Sequence, residues 1–180
     1  MTQPKVVDVR ARQQPLRDRY KVAPAEALIT DHARTINGVE TDPFHGTVVP
    51  GSQDYGVEWP FGIHRAVGGD HDGPNPGDLL CAALATCLDS TIRIIANRLA
   101  ITLVSLEVDV SADVDVRGTL VVDRAVPVGF QTMRCQVKIQ AAEGTDPSLV
   151  EKLLAAAEYS CVNLQTLRSG VAIELGVKSN

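Results

Sequence analysis

The sequence lacks the features of several specialised protein classes. It has no apolar run near the roughly 20 residues that a membrane-spanning helix needs, and its N-terminus, MTQPKVVDVRARQQ, lacks the apolar core of a secretory signal. Its 17 Lys and Arg residues are outnumbered by 22 Asp and Glu, whereas nucleic-acid binding needs a clustered basic surface. We therefore expect a cytoplasmic protein with no membrane and no nucleic-acid partner.

Cysteine is scarce, and its spacing excludes the common cysteine sites. The four cysteines are Cys81, Cys87, Cys135 and Cys161. There is no C-x-x-C pair, and the spacing of the first two is not one that zinc uses. The four histidines form no i,i+4 pair and no Cys/His cluster, so we predict no metal site and no cofactor. A cytosolic chain of 180 residues can bury a core without disulfides, so the cysteines are interpreted as buried or reactive thiols.

The remaining composition is that of one ordinary globular domain, with 44% hydrophobic and 22% charged residues. Residues 1–26 are polar, rich in Arg and Gln, and interrupted by three prolines. We interpret them as an N-terminal extension that is partly helical at best. Residues 27–180 are then the domain proper.

The apolar patterns within that domain alternate between strand and helix types. Short strands are expected over 27–67, the first at 27–30 and the last at 57–67, with a hairpin turn at Asn37-Gly38. Two strands of strict alternation follow, at 104–116 and 133–139. A helix begins after Asp146 and ends at Gly170, and a closing strand covers 171–177. Strands and helices in this order predict an α+β fold.

Another helix, earlier in the chain and between the short strands and the strand at 104–116, has the clearest start signal. Asn75 suits the N-cap, Pro76 the first helical position, and Asp78 can close a capping box. Apolar residues then recur at steps of three and four up to Leu99. The pattern predicts a buried central helix that runs to about Arg98.

The two patterns sort the cysteines only in part. Cys135 lies on the apolar face of a strand, where a cysteine is usually a small buried hydrophobe. Cys81 lies near a helix N-terminus, which lowers a thiol pKa, but its apolar setting favours a structural role. Cys87 and Cys161 lie on two Ala-rich helices that could approach closely. The pattern leaves open whether they meet or are two separate core residues.

The residues around these two cysteines resemble a known family. The segment NPGDLLCAALATC at 75–87 resembles the first cysteine motif of the OsmC/Ohr superfamily (osmotically inducible and organic hydroperoxide resistance proteins). DVRG at 115–118, VPVGF at 126–130 and AEYSCVNLQTL at 157–167 resemble its later segments in the same order. The resemblance covers residues 65–178, more than half of the chain.

The resemblance implies both a fold and an activity. The fold would be an OsmC-like intertwined homodimer, each subunit a curved antiparallel sheet around two central helices. The activity would be thiol-dependent reduction of organic hydroperoxides, with Cys87 as the peroxidatic cysteine and Cys161 as the resolving one. A dithiol reductant, in this family often a dihydrolipoyl group, would restore the reduced pair.

One departure from the family pattern concerns activation of the thiolate. Hydroperoxide-reducing members usually carry a glutamate ten residues before the first cysteine, where this chain has Gly77. That acid holds an arginine over the thiolate. Asp78 could substitute, although its capping role is the plainer interpretation. The resemblance places the arginine in the N-terminal strand region, with Arg34 the first candidate and Arg65 the second.

Three hypotheses about function follow. The first is an OsmC-like thiol peroxidase that uses Cys87, Cys161 and Arg34. The second is an OsmC-fold binding or stress protein that is not catalytic, or only weakly so, because the activating pair is incomplete at Gly77. The third is an ordinary α+β domain with two inert core cysteines. Thiol reactivity separates the third hypothesis from the others, and turnover with a hydroperoxide separates the first from the second.

Overall fold

The structure, a computed structural model, describes residues 7–36, 41–51 and 56–178. Its helices are α1 (Val9–Val22), α2 (Pro76–Arg98), α3 (Val116–Thr119), α4 (Pro147–Ser160) and α5 (Val162–Ser169). Its strands are β1 (Ala33–Ile36), β2 (His45–Pro50), β3 (Trp59–Gly62), β4 (Leu103–Asp113) and β5 (Thr132–Ala141). The mixture of helices and antiparallel sheets confirms the predicted α+β class.

The chain divides into two compact units. Among the described residues, the first contains 7–10, 83–109 and 136–178, and the second contains 11–36, 41–51, 56–82 and 110–135. Almost the whole apolar core belongs to the first unit, and most of its buried side chains come from α2, α4 and α5. The buried apolar residues of this unit are Leu84, Leu88, Ile92, Ala96, Ile101, Leu153, Ala157, Cys161 and Leu164.

The second unit contains a three-stranded antiparallel sheet in the order β1-β2-β3. In its register Arg34 lies opposite Val49, and the latter is 7% exposed. The predicted strand at 27–30 is wrong: this stretch follows a short 3-10 turn at Pro24–Ala27, and the first strand begins at Ala33. The strand expected over 57–67 is shorter, Trp59–Gly62. The Asn37-Gly38 turn lies outside the described residues.

The pair β4-β5 forms a separate two-stranded sheet. Both strands lie where alternation predicted strands, but the predicted end at 116 is wrong: β4 ends at Asp113, because Asp115 caps the short helix α3 that begins at Val116. Hydrogen bonds from Gln131 N–H to the Asp113 carbonyl, 2.8 Å, and from Ala142 N–H to the Thr102 carbonyl, 2.9 Å, mark the two ends of an antiparallel pairing. Leu106 and every second residue to Ala112 are partly buried while their neighbours are exposed. A strand with one wet face is therefore confirmed.

Helix α2 has the bounds that its sequence predicts, because its first turn is capped. The Asn75 side-chain oxygen accepts the Gly77 N–H at 2.8 Å, and the Asp78 carboxylate accepts the Asn75 N–H at 2.9 Å. This reciprocal pair is a capping box. The prediction of a buried central helix holds for one stripe only in the single chain, since Leu80 in α2 and Leu99 just after it are exposed.

Helix α2 is also long and apolar enough to cross a bilayer, by length and composition alone, which differs from the expectation that the chain has no such segment. An ion pair between Asp89 and Arg93, 2.8 Å, lies in its middle. Each charge would cost about 2.5–3.5 kcal/mol at a bilayer centre. Because the core helix of a soluble protein passes the same test, we interpret α2 as a core helix.

The N-terminal extension is more helical than its composition predicts. Helix α1 runs for 14 residues, and none of them is buried. Its start is held to the end of α2, because Val9 N–H donates to the Asn97 side-chain oxygen at 3.0 Å and the Arg10 guanidinium donates to the Arg98 carbonyl at 2.9 Å.

The C-terminal part departs from its sequence pattern at two places. The single helix expected up to Gly170 is divided into α4 and α5 at Cys161, whose ψ of 108° is extended. The closing strand expected at 171–177 is not formed, because no strand among the described residues pairs with it. Its alternating apolar side chains stay exposed, for example Ile173 at 87% and Leu175 at 91%.

Candidate active site

Helix α2 carries Cys87 midway along its length, one turn after an Ala-rich segment. The side chain is only partly buried. The Thr91 and Ser90 hydroxyls donate to the Cys87 carbonyl at 2.7 and 3.1 Å, as serine and threonine commonly do within helices. The backbone that carries this sulfur is therefore held by side chains of the following turn.

Cys161 lies at the corner between α4 and α5, where it ends one helix and begins the next. Its N–H donates to the Ala157 carbonyl at 2.9 Å, and its own carbonyl accepts the Gln165 N–H at 3.0 Å. The side chain is fully buried, at 0% exposure. Sequence pattern alone placed Cys161 within one continuous helix, so its position at a corner is decided by packing.

The structure brings the two sulfurs together. The Cys161 thiol donates to the Cys87 sulfur across 3.4 Å, which is an ordinary contact between two thiols and not a bond. Small residues explain the approach, since Ala83 precedes Cys87 by one turn and Ala157 precedes Cys161 by one turn. A disulfide needs a separation of about 2.05 Å, so a closure of about 1.4 Å would join the pair.

The environment of Cys161 keeps its proton in place. Burial raises the pKa of the Cys161 thiol, and the hydrogen bond to Cys87 acts in the same direction. The peptide N–H groups of Leu164 and Asn163, at the start of α5, oppose this rise. Burial outweighs them because a thiolate loses more solvation than two dipoles restore. Cys161 is therefore held as a neutral thiol beside a more accessible sulfur.

Gly77, at the position where the family pattern has an acid, has two close side-chain neighbours. A Cβ at Gly77 would lie 2.9 Å from the Asn75 side-chain oxygen and 3.0 Å from Cζ of Phe130. Asp78 does not replace the acid, because its carboxylate accepts two hydrogen bonds from Asn75, at 2.9 and 2.6 Å. The capping interpretation of Asp78 is therefore the one that the contacts support.

The two candidate arginines lie in the second unit. Arg34 is an exposed residue of β1, and its part in the site stays a prediction. Arg65 donates to the Asp70 carbonyl at 3.2 Å, which holds the loop before α2. Glu158, the acid nearest to Cys161 in sequence, is bound to Arg168 at 2.7 Å on the surface.

The other two cysteines differ from their sequence-based expectations. Cys135 is exposed, so the prediction of a buried hydrophobe is wrong for the single chain, because this part of the sheet face is not covered. The pKa of Cys81 is raised, first by burial and then by the Asp78 carboxylate. These two effects outweigh the helix N-terminus, which would lower it. A raised pKa agrees with a structural role for Cys81.

Two polar groups were missed from sequence. The Asn163 amide donates to the Ala83 carbonyl at 2.7 Å, and so joins α5 to α2 beside the cysteine pair. His45 has a carboxylate at each ring nitrogen, Asp42 at 2.8 Å and Asp72 at 2.9 Å. The contact of Asn163 has no local sequence signal, since its partner lies 80 positions away. His45 has one local partner, Asp42, three residues away, and one distant partner, Asp72, 27 residues away.

The fold is similar to those of several known structures. An OsmC-like protein from Mycoplasma pneumoniae superposes with a TM-score of 0.62 at 13% identity, over 79% of this chain and 89% of that one. An organic hydroperoxide resistance protein from Legionella pneumophila gives 0.52 at 24% identity, over 78% and 90%. One from Elizabethkingia anophelis gives 0.53 at 18% identity, over 79% and 91%. At these identities the likeness establishes the fold.

Among curated proteins, none matches the sequence significantly. The profile of the OsmC-like protein family matches residues 69–176, which is more than half of the chain and includes both cysteine motifs. This match confirms the resemblance first drawn from the motifs themselves. The two cysteines of these motifs, one within a helix and one at a helix corner, are in contact. Because the family profile matches more than half of the sequence, the chain belongs to the OsmC-like protein family.

Proposed function

We propose that this protein is a thiol-dependent peroxidase that reduces organic hydroperoxides through Cys87 and Cys161. The observation that carries the proposal is the 3.4 Å contact between the two sulfurs. The difference in burial supports the assignment of roles. Cys87 is partly exposed, whereas Cys161 is fully buried, so an incoming peroxide meets Cys87 first.

The reaction consists of two balanced steps. The Cys87 thiolate attacks the distal oxygen of the hydroperoxide, the O–O bond breaks, and the alkoxide leaves and takes up a proton as the alcohol. Cys87 is then a sulfenic acid. The Cys161 sulfur attacks it, an S–S bond forms, and the hydroxyl leaves as water with the Cys161 proton. Two electrons have passed from the two thiols to the peroxide.

Reduction of the disulfide needs an external dithiol. One thiolate of that dithiol attacks the pair, and its second thiol displaces the mixed disulfide, which returns both cysteines to the thiol state. A lipoyl group has this chemistry. Cys87 is the sulfur that an external thiol reaches, because its partner is buried.

An intertwined homodimer would complete the apolar surroundings of the site. The segment 171–177 forms neither helix nor strand and has no strand partner among the described residues, and its apolar side chains are exposed. Exposed apolar alternation of this kind favours pairing with a second chain. A site bordered by apolar surface would favour organic hydroperoxides over hydrogen peroxide.

The test is oxidation of the fully reduced protein with one equivalent of cumene hydroperoxide, followed by non-reducing peptide mass spectrometry. We expect a rapid cross-link between Cys87 and Cys161 in the wild type and in the control variant C135S. The variant C161S should stop at the Cys87 sulfenic acid, and C87S should show no fast oxidation. Full peroxidase activity in C87S would overturn the proposal.

The second candidate function is that of an OsmC-fold binding protein with little catalysis. The observation that favours it is the site of Gly77, where the chain has no acid and an added Cβ would press on the Asn75 cap and the Phe130 ring. On this alternative the sulfurs would react with diamide, which oxidises any close pair, but not quickly with a hydroperoxide. Arg34→Ala tests the proposed activating arginine: if Arg34 activates the thiolate, its loss should slow the peroxide step alone.

A further inference from the structure

Besides the contact between the two sulfurs, a side-chain hydrogen bond joins the corner that carries Cys161 to the helix that carries Cys87. The Asn163 amide, two residues after the corner, donates to the Ala83 carbonyl at 2.7 Å. Ala83 precedes Cys87 by four positions, so its carbonyl is the one that faces the Cys87 N–H in the helix. One hydrogen bond thus joins the backbone turn of each sulfur.

We propose that Asn163 is a positioning residue for the redox pair, and that its amide sets how readily Cys87 and Cys161 form a disulfide. The proposal rests on the proposed peroxidase function and assigns a residue that this function requires. In this role the Asn163 side chain acts through the Ala83 carbonyl, whereas it is the peptide N–H of Asn163 that faces the Cys161 sulfur. The side chain acts by keeping the first turn of α5 beside α2.

The direction of this hydrogen bond is fixed by its acceptor. A backbone carbonyl only accepts, so the amide nitrogen of Asn163 and not its oxygen faces Ala83. The hydroxyl of Thr86 also donates to this carbonyl, at 3.2 Å, but it belongs to α2 and joins nothing to α5. Asn163 is therefore the donor that connects the two elements at this carbonyl.

The other polar contacts of the corner act within α4 and α5. The Gln165 amide donates to the Glu158 carbonyl at 2.8 Å, and Arg168 pairs with the Glu158 carboxylate at 2.7 Å. These contacts join α5 to the end of α4 on the exposed side and do not reach α2. Gln165 is consequently a matched control, since it is also an amide on α5 that donates to a backbone carbonyl.

The hydrogen bond from Asn163 to Ala83, called the clamp below, matters because the two sulfurs need to move only a short distance to form the disulfide. The sulfurs are 3.4 Å apart and must approach to about 2.05 Å. If the first turn of α5 moves outward, the reduced pair separates and its effective concentration falls. Both the rate of disulfide formation and the stability of the disulfide should then decrease together.

The experiment measures the reduction potential of the Cys87–Cys161 pair in N163A, N163D, Q165A and the wild type. Each protein is equilibrated in mixtures of reduced and oxidised dithiothreitol, and the disulfide is quantified by alkylation and mass spectrometry. We expect N163A to destabilise the disulfide about fivefold to tenfold, the effect of one lost hydrogen bond, which is a rise of about 20–30 mV. N163D should do at least as much, because its carboxylate repels the carbonyl oxygen, while Q165A should match the wild type.

Thermal unfolding of the reduced proteins separates positioning from general stability. Reduced N163A should still unfold cooperatively, while its potential and its rate of disulfide formation after a peroxide pulse both change. If the reduction potential of the Cys87–Cys161 pair is unchanged in folded N163A and N163D, the proposal that Asn163 positions the pair is overturned and the peroxidase proposal stays intact. If the reduction potentials of the variants shift as expected but the wild type is not oxidised quickly by the peroxide, the peroxidase proposal is overturned and the clamp is supported. A wild type that forms no such disulfide with either oxidant would overturn both.

Discussion

Substitution of Gly77 tests whether packing closes this chain to the family's activating acid. A methyl group there would meet the Asn75 side-chain oxygen at 2.9 Å and Phe130 Cζ at 3.0 Å. The oxygen cannot withdraw freely, because it accepts the N–H groups of Gly77 and Asp78 at 2.8 and 3.2 Å. The conflict therefore involves the N-cap itself.

The magnitudes favour destabilisation by Gly77→Ala. Overpacking costs about 1–3 kcal/mol, and a weakened N-cap costs about 1 kcal/mol. Replacement of glycine by alanine within a helix stabilises the helix by at most about 1 kcal/mol. We expect a net loss of about 2 kcal/mol, which for a chain of this size lowers Tm by about 4–8 °C. Gly77→Glu should lose at least as much.

The assay is thermal and urea unfolding of G77A, F130A, the double variant and a matched control, G129A. A Cβ at Gly129 meets nothing within 4 Å, so G129A should equal or exceed the wild type in stability. The double variant should show a favourable coupling of about 1 kcal/mol, since the neighbouring ring is gone. A G77A protein as stable as G129A would refute the steric argument.

Three further outcomes are expected. Hydrogen bonds to Asp72 and Asp42 raise the pKa of His45, and the pKa values of both aspartates are lowered. The pairing therefore stabilises the fold most where both aspartates are ionised and His45 is protonated, which is above the lowered aspartate pKa values and below about pH 6.5. Stability curves of H45Q and wild type should therefore differ most near pH 5–6, and they should converge as the pH rises through the raised His45 pKa; a constant difference up to alkaline pH would contradict this. Leu153→Ala, at a side chain with 0% exposure, should cost about 2–5 kcal/mol in urea unfolding, and a cost under about 1 kcal/mol would mean that the core can collapse around the cavity. Ile173→Asp should shift sedimentation from dimer toward monomer if 171–177 pairs with a second chain, whereas the same substitution at exposed Val22 serves as the control.

Local signals were sufficient for several elements. The bounds of α2 follow from Asn75, Pro76 and Asp78, whose caps form within four residues and need no tertiary partner. The strands β4 and β5 follow from strict alternation, because a sheet with one wet face gives the same periodicity wherever it packs. The same motifs also carried the resemblance to the OsmC-like family.

Elements that depend on a distant partner were predicted less well. Alternation at 171–177 describes a one-sided apolar face, yet a strand also needs a neighbour to accept its hydrogen bonds, and the described chain provides none. Cys135 shares that limit, since an apolar face is buried only where something covers it. Residues 27–30 have strand-like composition but follow a 3-10 turn.

The sequence by itself determined the class of fold, the helix that carries Cys87 and the family to which the chain belongs, because these depend on local caps, periodicity and motifs. Only the tertiary structure decided that Cys87 and Cys161 meet at 3.4 Å, that the chain turns at Cys161, and that Asn163 reaches Ala83. Contacts between residues about 80 positions apart depend on how helices pack. No local pattern encodes that distance.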